Sequence, residues 1–445
     1  YSYKGIYTLT GTGRYEGTNR LGKSRSARWL PTWNVAGAWN VHEEKFYSNF
    51  TNPVLSHATL KASYSLTADR GPAFVTNSQA ILNSYSPWRP SASVTESGMR
   101  ITELENSELT YEKKHEFNVG IDLGFLKNRL NLAADYYRRN NFDLIGVINT
   151  QGAGGTIAKY ANIASMKSSG IELTISSKNM RTKDFSWNTD FIFSKTKNEI
   201  TDLKSHANVL SLISGNGFGR EGYPVRGLFS IPFAGLTEDG LPTFINQDGQ
   251  KTISSFNFQE YEKLDFLKYE GPTDPTITGS FGNILTYKNL KLNVFVTYSF
   301  GNVIRLDPVF SNAYSDLDAM PKEFKNRWMK AGDENVTNIP TIVSTRMNQQ
   351  YAYLNMAYNA YNYSDVRIAD GGFIRLKEIS LSYDLPAKVI NFFRLNKLQL
   401  KLQATNLCLL YADSKLNGQD PEFFRSGGVS TPVPKQFTFT VRLGL

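Results

Sequence analysis

Few residues in this sequence are spaced for chemistry. The four histidines, His42, His57, His115 and His206, are scattered along the chain. "HEEKF" (42–46) and "HEFNV" (115–119) each begin His-Glu. Neither has the second His four residues on that would put two imidazoles on one helix face around zinc. "GNGFGREG" (215–222) is rich enough in glycine to wrap a phosphate. Arg220 stands where the third glycine of a dinucleotide fingerprint belongs, and no Lys-Ser/Thr ending follows. This stretch and "GAGG" (152–155) read as flexible loop tips. Carboxylates gather in "ELENSELTYE" (103–112) and at Glu43–Glu44. Glycoside hydrolysis needs two of them about 5–9.5 Å apart across a bound sugar, which no spacing here establishes. Both groups read as solvated loops. "DVRIADGG" (365–372) and "GQDPE" (418–422) lack the spaced oxygen ligands of a calcium loop, and no G-x-S-x-G elbow occurs. The expectation is no catalytic residue, no cofactor and no metal: a protein that is not an enzyme.

Binding chemistry has better candidates. "YAYLNMAYNAYNY" (351–363) sets Tyr351, Tyr353, Tyr358 and Tyr361 among Asn and Ala. "YSPWRP" (85–90) offers Tyr85, Trp88 and Arg89. An aromatic face with a polar tip suits a sugar, a peptide or a protein partner. The same rings could instead pack loops together or sit at a lipid headgroup layer.

The elements that would hold these residues are strands. "FNVGIDLGFLKNRLNLAADYY" puts Phe117, Val119, Ile121, Leu123 and Phe125 on one face, and Asn118, Gly120, Asp122 and Gly124 on the other. A turn at Lys127–Asn128 follows, then a second alternating run. The final "QFTFTVRLGL" alternates Phe437, Phe439, Val441, Leu443 and Leu445 with polar or small residues. The same period recurs in twelve segments: 3–14, 28–41, 56–68, 110–125, 129–145, 166–178, 184–198, 275–287, 290–302, 372–385, 395–409 and 434–445. They meet the roughly 9–11 residues that a tilted strand needs to cross a bilayer. Short connections (126–128, 179–183, 288–289, 386–394, and a medium one at 42–55) alternate with long ones. The long ones are 15–27, 69–109, 146–165, 199–274, 303–371 and 410–433. Outer-membrane barrels sort their turns and loops this way, with the long loops outside the cell.

The totals agree. Mean hydropathy is negative and no apolar run is long enough for a membrane helix, while alternation hides a barrel's hydrophobicity. The charge of +9 is spread without a basic block, so nucleic acid is not an expected partner. One cysteine, Cys408, excludes an internal disulfide. The chain opens at Tyr1 in mid-pattern, without Met or a leader, which suggests the C-terminal part of something larger.

Several stretches resemble the SusC/RagA-type TonB-dependent outer-membrane transporters of Bacteroidetes. They are "LTYEKKHEFNVGIDLGFLKNRLNLAADYYRRNNFDLI", "SMKSSGIELTI", "RYEGTNRLG" (Glu16 where the family usually has Asp), "GGFIRLKEISLSYDLP", "LQLKLQATNL" and "GQDPEF". Two departures are apolar: Leu445 where an aromatic is common, and "NLCLL" around Cys408. The resemblance implies an all-β transmembrane antiparallel barrel of 22 strands with a plug inside. Residues 1–445 would supply about the last twelve strands. It further implies active import of a nutrient, a glycan first and an oligopeptide second, with no bond made or broken. Its partners would be TonB, a SusD-like surface lipoprotein lid, the remaining N-terminal barrel and plug, and outer-membrane lipid. Two other readings stay open: a passive porin-like or adhesive barrel, and a soluble all-β carbohydrate-active enzyme whose apolar strand faces meet each other.

Overall fold

The computed structural model describes residues 1–48, 54–72, 75, 79–88, 96–152, 157–308, 322–392, 395–424 and 433–444. Twelve long strands carry the fold, one for each alternating segment. They are β1 (Tyr7–Gly17), β2 (Trp29–Asn40), β3 (Leu55–Asp69), β4 (Glu112–Phe125), β5 (Leu130–Asn149) and β6 (Ala158–Arg181). Then come β7 (Phe185–Leu203), β8 (Ile277–Tyr287), β9 (Leu290–Phe300), β10 (Phe373–Asp384), β11 (Lys397–Ala412) and β12 (Gln436–Gly444). No described helix is long and apolar enough to cross a membrane.

The chain divides into two compact units, one of Tyr1–Thr174 with Thr196–His206, the other of Ile175–Lys195 with Ala207–Leu445. Within the first, β1 to β5 pair antiparallel in chain order. Within the second, the first part of β7 and then β8 to β12 do the same.

Two boundaries differ from the sequence reading. Lys4 and Gly5 take positive φ, so the first segment breaks there. Ser2–Tyr3 becomes a short strand folded back on Tyr7 and Thr8. The connection expected at 146–165 shrinks to 150–157, because β5 and β6 continue through its flanks.

Register turns the alternation of each strand into rows across the sheet. In the second unit Leu285, Leu292, Leu381, Leu402 and Phe439 lie side by side across β8 to β12. The adjacent row is Thr286, Lys291, Ser382, Lys401 and Thr440. In the first unit Leu9, Gly37, Ala62, Val119 and Tyr136 form one row, and Thr10, Ala36, Ser63, Asn118 and Tyr137 another. Leu9, Val119, Tyr136, Leu381, Leu402, Phe437, Phe439, Val441 and Leu443 are all exposed. Within each unit the apolar rows are therefore not covered by a second sheet, as they would be in a soluble sandwich.

Two contacts explain quoted motifs. Tyr137 of β5 is buried, and its ring lies where a Cβ on Gly170 of β6 would sit, at 2.5 Å. Glycine in "SSGIELTI" thus makes room for the second tyrosine of "DYYRR". Glu116 of β4 faces Arg139 of β5 in register and accepts from it at 3.2 Å.

Arg in place of Phe439 puts a charge on the apolar row, where the cost approaches about 2–4 kcal/mol at mid-bilayer. Lys in place of Thr440, on the polar row, is expected to be near neutral. Urea titration of the full-length protein folded into lipid vesicles, read by tryptophan fluorescence, checks the pair.

Candidate functional site

The long connections of the second unit fold into a block with its own core. A helical turn (Val209–Ile213) supplies Val209, Leu212 and Ile213. Phe229, Ile231, Phe244, Phe256, Leu267, Phe324 and Tyr361 pack around them. Phe233 meets Phe244 and Tyr361 edge-on, at 5.9 and 5.8 Å between centroids. The strands Phe233–Leu236, Pro242–Ile245 and Lys251–Thr252 turn through Asp239–Gly240 and Asp248–Gly249, both glycines having positive φ. "GNGFGREG" is not a loose tip. Phe218 N donates to Gly227 O at 3.1 Å, and Arg220 bonds Asp265 at 2.6 Å. Of "GAGG" only Gly152 lies among the described residues.

Two buried arginines tie this block together, and a third ties a long strand to a later connection. Arg305 donates to Ile213 O and Ser364 O at 3.0 Å, to Phe229 O at 2.6 Å and to Ser230 Oγ at 3.0 Å. Arg367 donates to Glu323 Oε1 and Asp307 O, both at 2.6 Å. Arg375, on β10, donates to both oxygens of Asp420 at 2.6 and 2.7 Å, and lies 3.1 Å from Glu422. That last set joins "GGFIRLKEISLSYDLP" to "GQDPEF", two motifs 45 residues apart.

The aromatic candidates separate. Tyr358 and Tyr361, on the helix Leu354–Asn362, are 1% exposed. Tyr358 Oη donates to Thr341 O at 2.7 Å. Burial pushes the Tyr361 hydroxyl up to about 12. Both rings pack the block, and Tyr358 also borders the pocket lined by Tyr351 and Tyr353. Tyr353, by contrast, is 69% exposed and holds φ +62° at the start of that helix. Tyr351 donates to Asp239 at 2.8 Å, and Tyr351 and Tyr353 line a small pocket of about 200 Å³ with Asn348 and Asn355. In the first unit Trp88 is 86% exposed and Tyr85 is exposed, its ring 5.7 Å from Arg100 Cζ. Arg89 lies outside the described residues. Folding also brings His42 and His57 together, at 4.2 Å between rings, which their sequence separation hid. Among the described residues no group of three or more His, Cys, Asp or Glu could hold a metal.

The model of the family described as "TonB dependent receptor-like, beta-barrel" matches residues 1–407. The chain belongs to this family. TonB-dependent receptor P3 of Formosa agariphila is 24% identical over 95% of the chain and 41% of its own length. TonB-dependent receptor SusC of Bacteroides thetaiotaomicron is 26% identical over 100% and 42%. Among solved structures, the RagAB peptide transporter superposes with a TM-score of 0.78 at 23% identity, over 99% of this chain and 46% of that one. The chain thus spans less than half the length of these relatives. Its twelve strands are part of a TonB-dependent receptor barrel of SusC/RagA type.

Two predictions test the block. Arg305→Ala strands three buried carbonyls, each at about 1–3 kcal/mol. Hydrogen exchange should show residues 207–272 losing protection while β8 to β12 keep theirs. Arg305→Lys should rescue little, since an ammonium cannot span four acceptors of this layout. Burial raises the Glu270 carboxyl above its ordinary 4.5; Lys268 opposes this and Asp365 reinforces it. A raised carboxylate pKa means the fold prefers the neutral acid, so this stability is present below 4.5 and lost as pH climbs through the raised value. Exchange protection around Ser230 should therefore fall with rising pH in the native protein and fall less in Glu270→Gln.

Proposed function

We propose that the protein imports a nutrient, a glycan or an oligopeptide, across the outer membrane, and that this chain forms the later barrel wall and outer loops. The supporting observation is the row structure: exposed apolar rows alternate with polar rows within each unit. Only a sheet with hydrocarbon on one side and water or protein on the other has a use for that. The long connections face the outside and the short turns the periplasm. A SusD-like lipoprotein closes over the loops, and TonB, acting through an N-terminal plug, drives release inward. The chain works by binding and passage, with no chemical step. Tyr85, Trp88, Tyr351 and Tyr353 contact the substrate or the lid.

Deletion of the gene in its host, complemented by the full-length protein, tests this reading. Uptake of a labelled glycan or peptide should depend on the protein, on the proton-motive force and on TonB. A surface lipoprotein should co-purify in detergent. Trp88→Ala and Tyr353→Ala should each raise the half-saturating substrate concentration roughly three- to tenfold. Uptake that survives loss of TonB would make this a passive barrel.

A further inference from the structure

The polar face of β8 to β10 carries a pocket that the loop aromatics do not explain. β10 holds one residue more than β9 can pair, and β11 sets two residues, Asn406 and Leu407, opposite that same point. Leu376 and Glu378 face Val296 and Phe295 on one side, and Cys408 and Thr405 on the other. Lys377 has no partner in either ladder. Such a bulge re-aims a side chain. Here it leaves Lys377 on the wall of a cavity of about 460 Å³, with Thr278, Thr297, Ser299 and Asn302. The other cations near it are committed: Arg226 to Asp274, and Arg375 to Asp420 and Glu422. Among the described residues the Lys377 ammonium has no ion pair or hydrogen bond. Asn302, 9% exposed, has an amide oxygen with no donor. Its side chain lies against Gly371, where a Cβ would fall 2.2 Å from Nδ2. Glycine there makes room for the amide.

Resting on the transport reading above, we infer that this pocket binds a carboxylate of the imported substrate. One uncommitted cation matches a monoanion. Glu422, which also lines the cavity, disfavours a second negative charge. The three hydroxyls can donate to the carboxylate and accept from an O–H or N–H beside it. Two sources share this chemistry: the free C-terminus of a peptide and the acid group of a uronic sugar.

The test is calorimetric titration of the full-length protein in detergent with four probes. They are an oligopeptide, the same peptide amidated at its C-terminus, a uronic-acid oligosaccharide, and its carboxyl-reduced neutral form. One acid probe should bind at least about tenfold more tightly than its neutral partner. Lys377→Gln should abolish that preference, and Lys377→Arg should keep it within about threefold. Thr297→Val, which changes shape little, should weaken the acid probe several-fold. Whichever acid probe responds names the source. The inference falls if Lys377→Gln binds the acid probe like wild type, if neither acid probe is preferred, or if the full-length structure shows an acidic side chain of the protein's own on Lys377. Uptake of a neutral substrate that ignores Lys377 would sink this inference and leave the transport reading intact. Failure of the full-length wild-type protein to support any TonB-dependent uptake would sink the transport reading itself.

Discussion

A backbone in hydrocarbon must find every hydrogen-bond partner within the protein. That constraint governs the rest of this structure. A strand meets it only by pairing along its length, and pairing forces side chains to alternate between two environments. The sequence obeys over twelve strands, and register extends the obedience sideways. Leu381 stands beside Leu402 and Leu402 beside Phe439, while Ser382, Lys401 and Thr440 fall in line on the opposite face. A one-residue slip of β11 would turn Lys401 to lipid.

Where the chain leaves the strands, the rules invert. The block of residues 207–272 and 303–371 buries its own aromatics and, with them, charged guanidinium groups. Each is held by several acceptors, as burial of a cation demands. Arg305 is bound by three carbonyls and a hydroxyl from separate segments, so it fixes segments that share no ladder. Arg375 sits at the seam between the two regimes. It projects from a long strand yet is satisfied by Asp420 and Glu422 of a connection.

The strands were legible because a period of two needs only the chain itself. The block was not, because its order comes from contacts between distant segments. Signals were nonetheless present. Asp239–Gly240 and Asp248–Gly249 are turn dipeptides between apolar runs, and they close the small sheet there. In the tyrosine run, Leu354, Ala357, Tyr358 and Tyr361 fall at i, i+3, i+4 and i+7, the spacing of one buried helical face. That spacing separates Tyr358 and Tyr361 from Tyr353 without any structure. Nothing comparable announced that Arg375 would meet Asp420, since a lone arginine in a strand has no readable address.

The bulge at Lys377 shows how the first constraint is reconciled with function. Phe373, Arg375 and Lys377 share parity with Ile379, Leu381 and Tyr383. An unbroken strand would put all six on one face, and either the two cations would enter lipid or the three apolar side chains would leave it. The ladder to β9 shifts between Phe295 and Val296, where Lys377 is the extra residue, and β11 carries the extra residues of the shifts at Ile374/Arg375 and Leu376/Glu378. The lipid face allows no error in alternation, so the strand changes phase in its pairing instead. A phase change of this kind costs ladder hydrogen bonds. Its place beside Arg375 and Lys377 marks the stretch of wall where the polar face needs charge that plain alternation could not deliver.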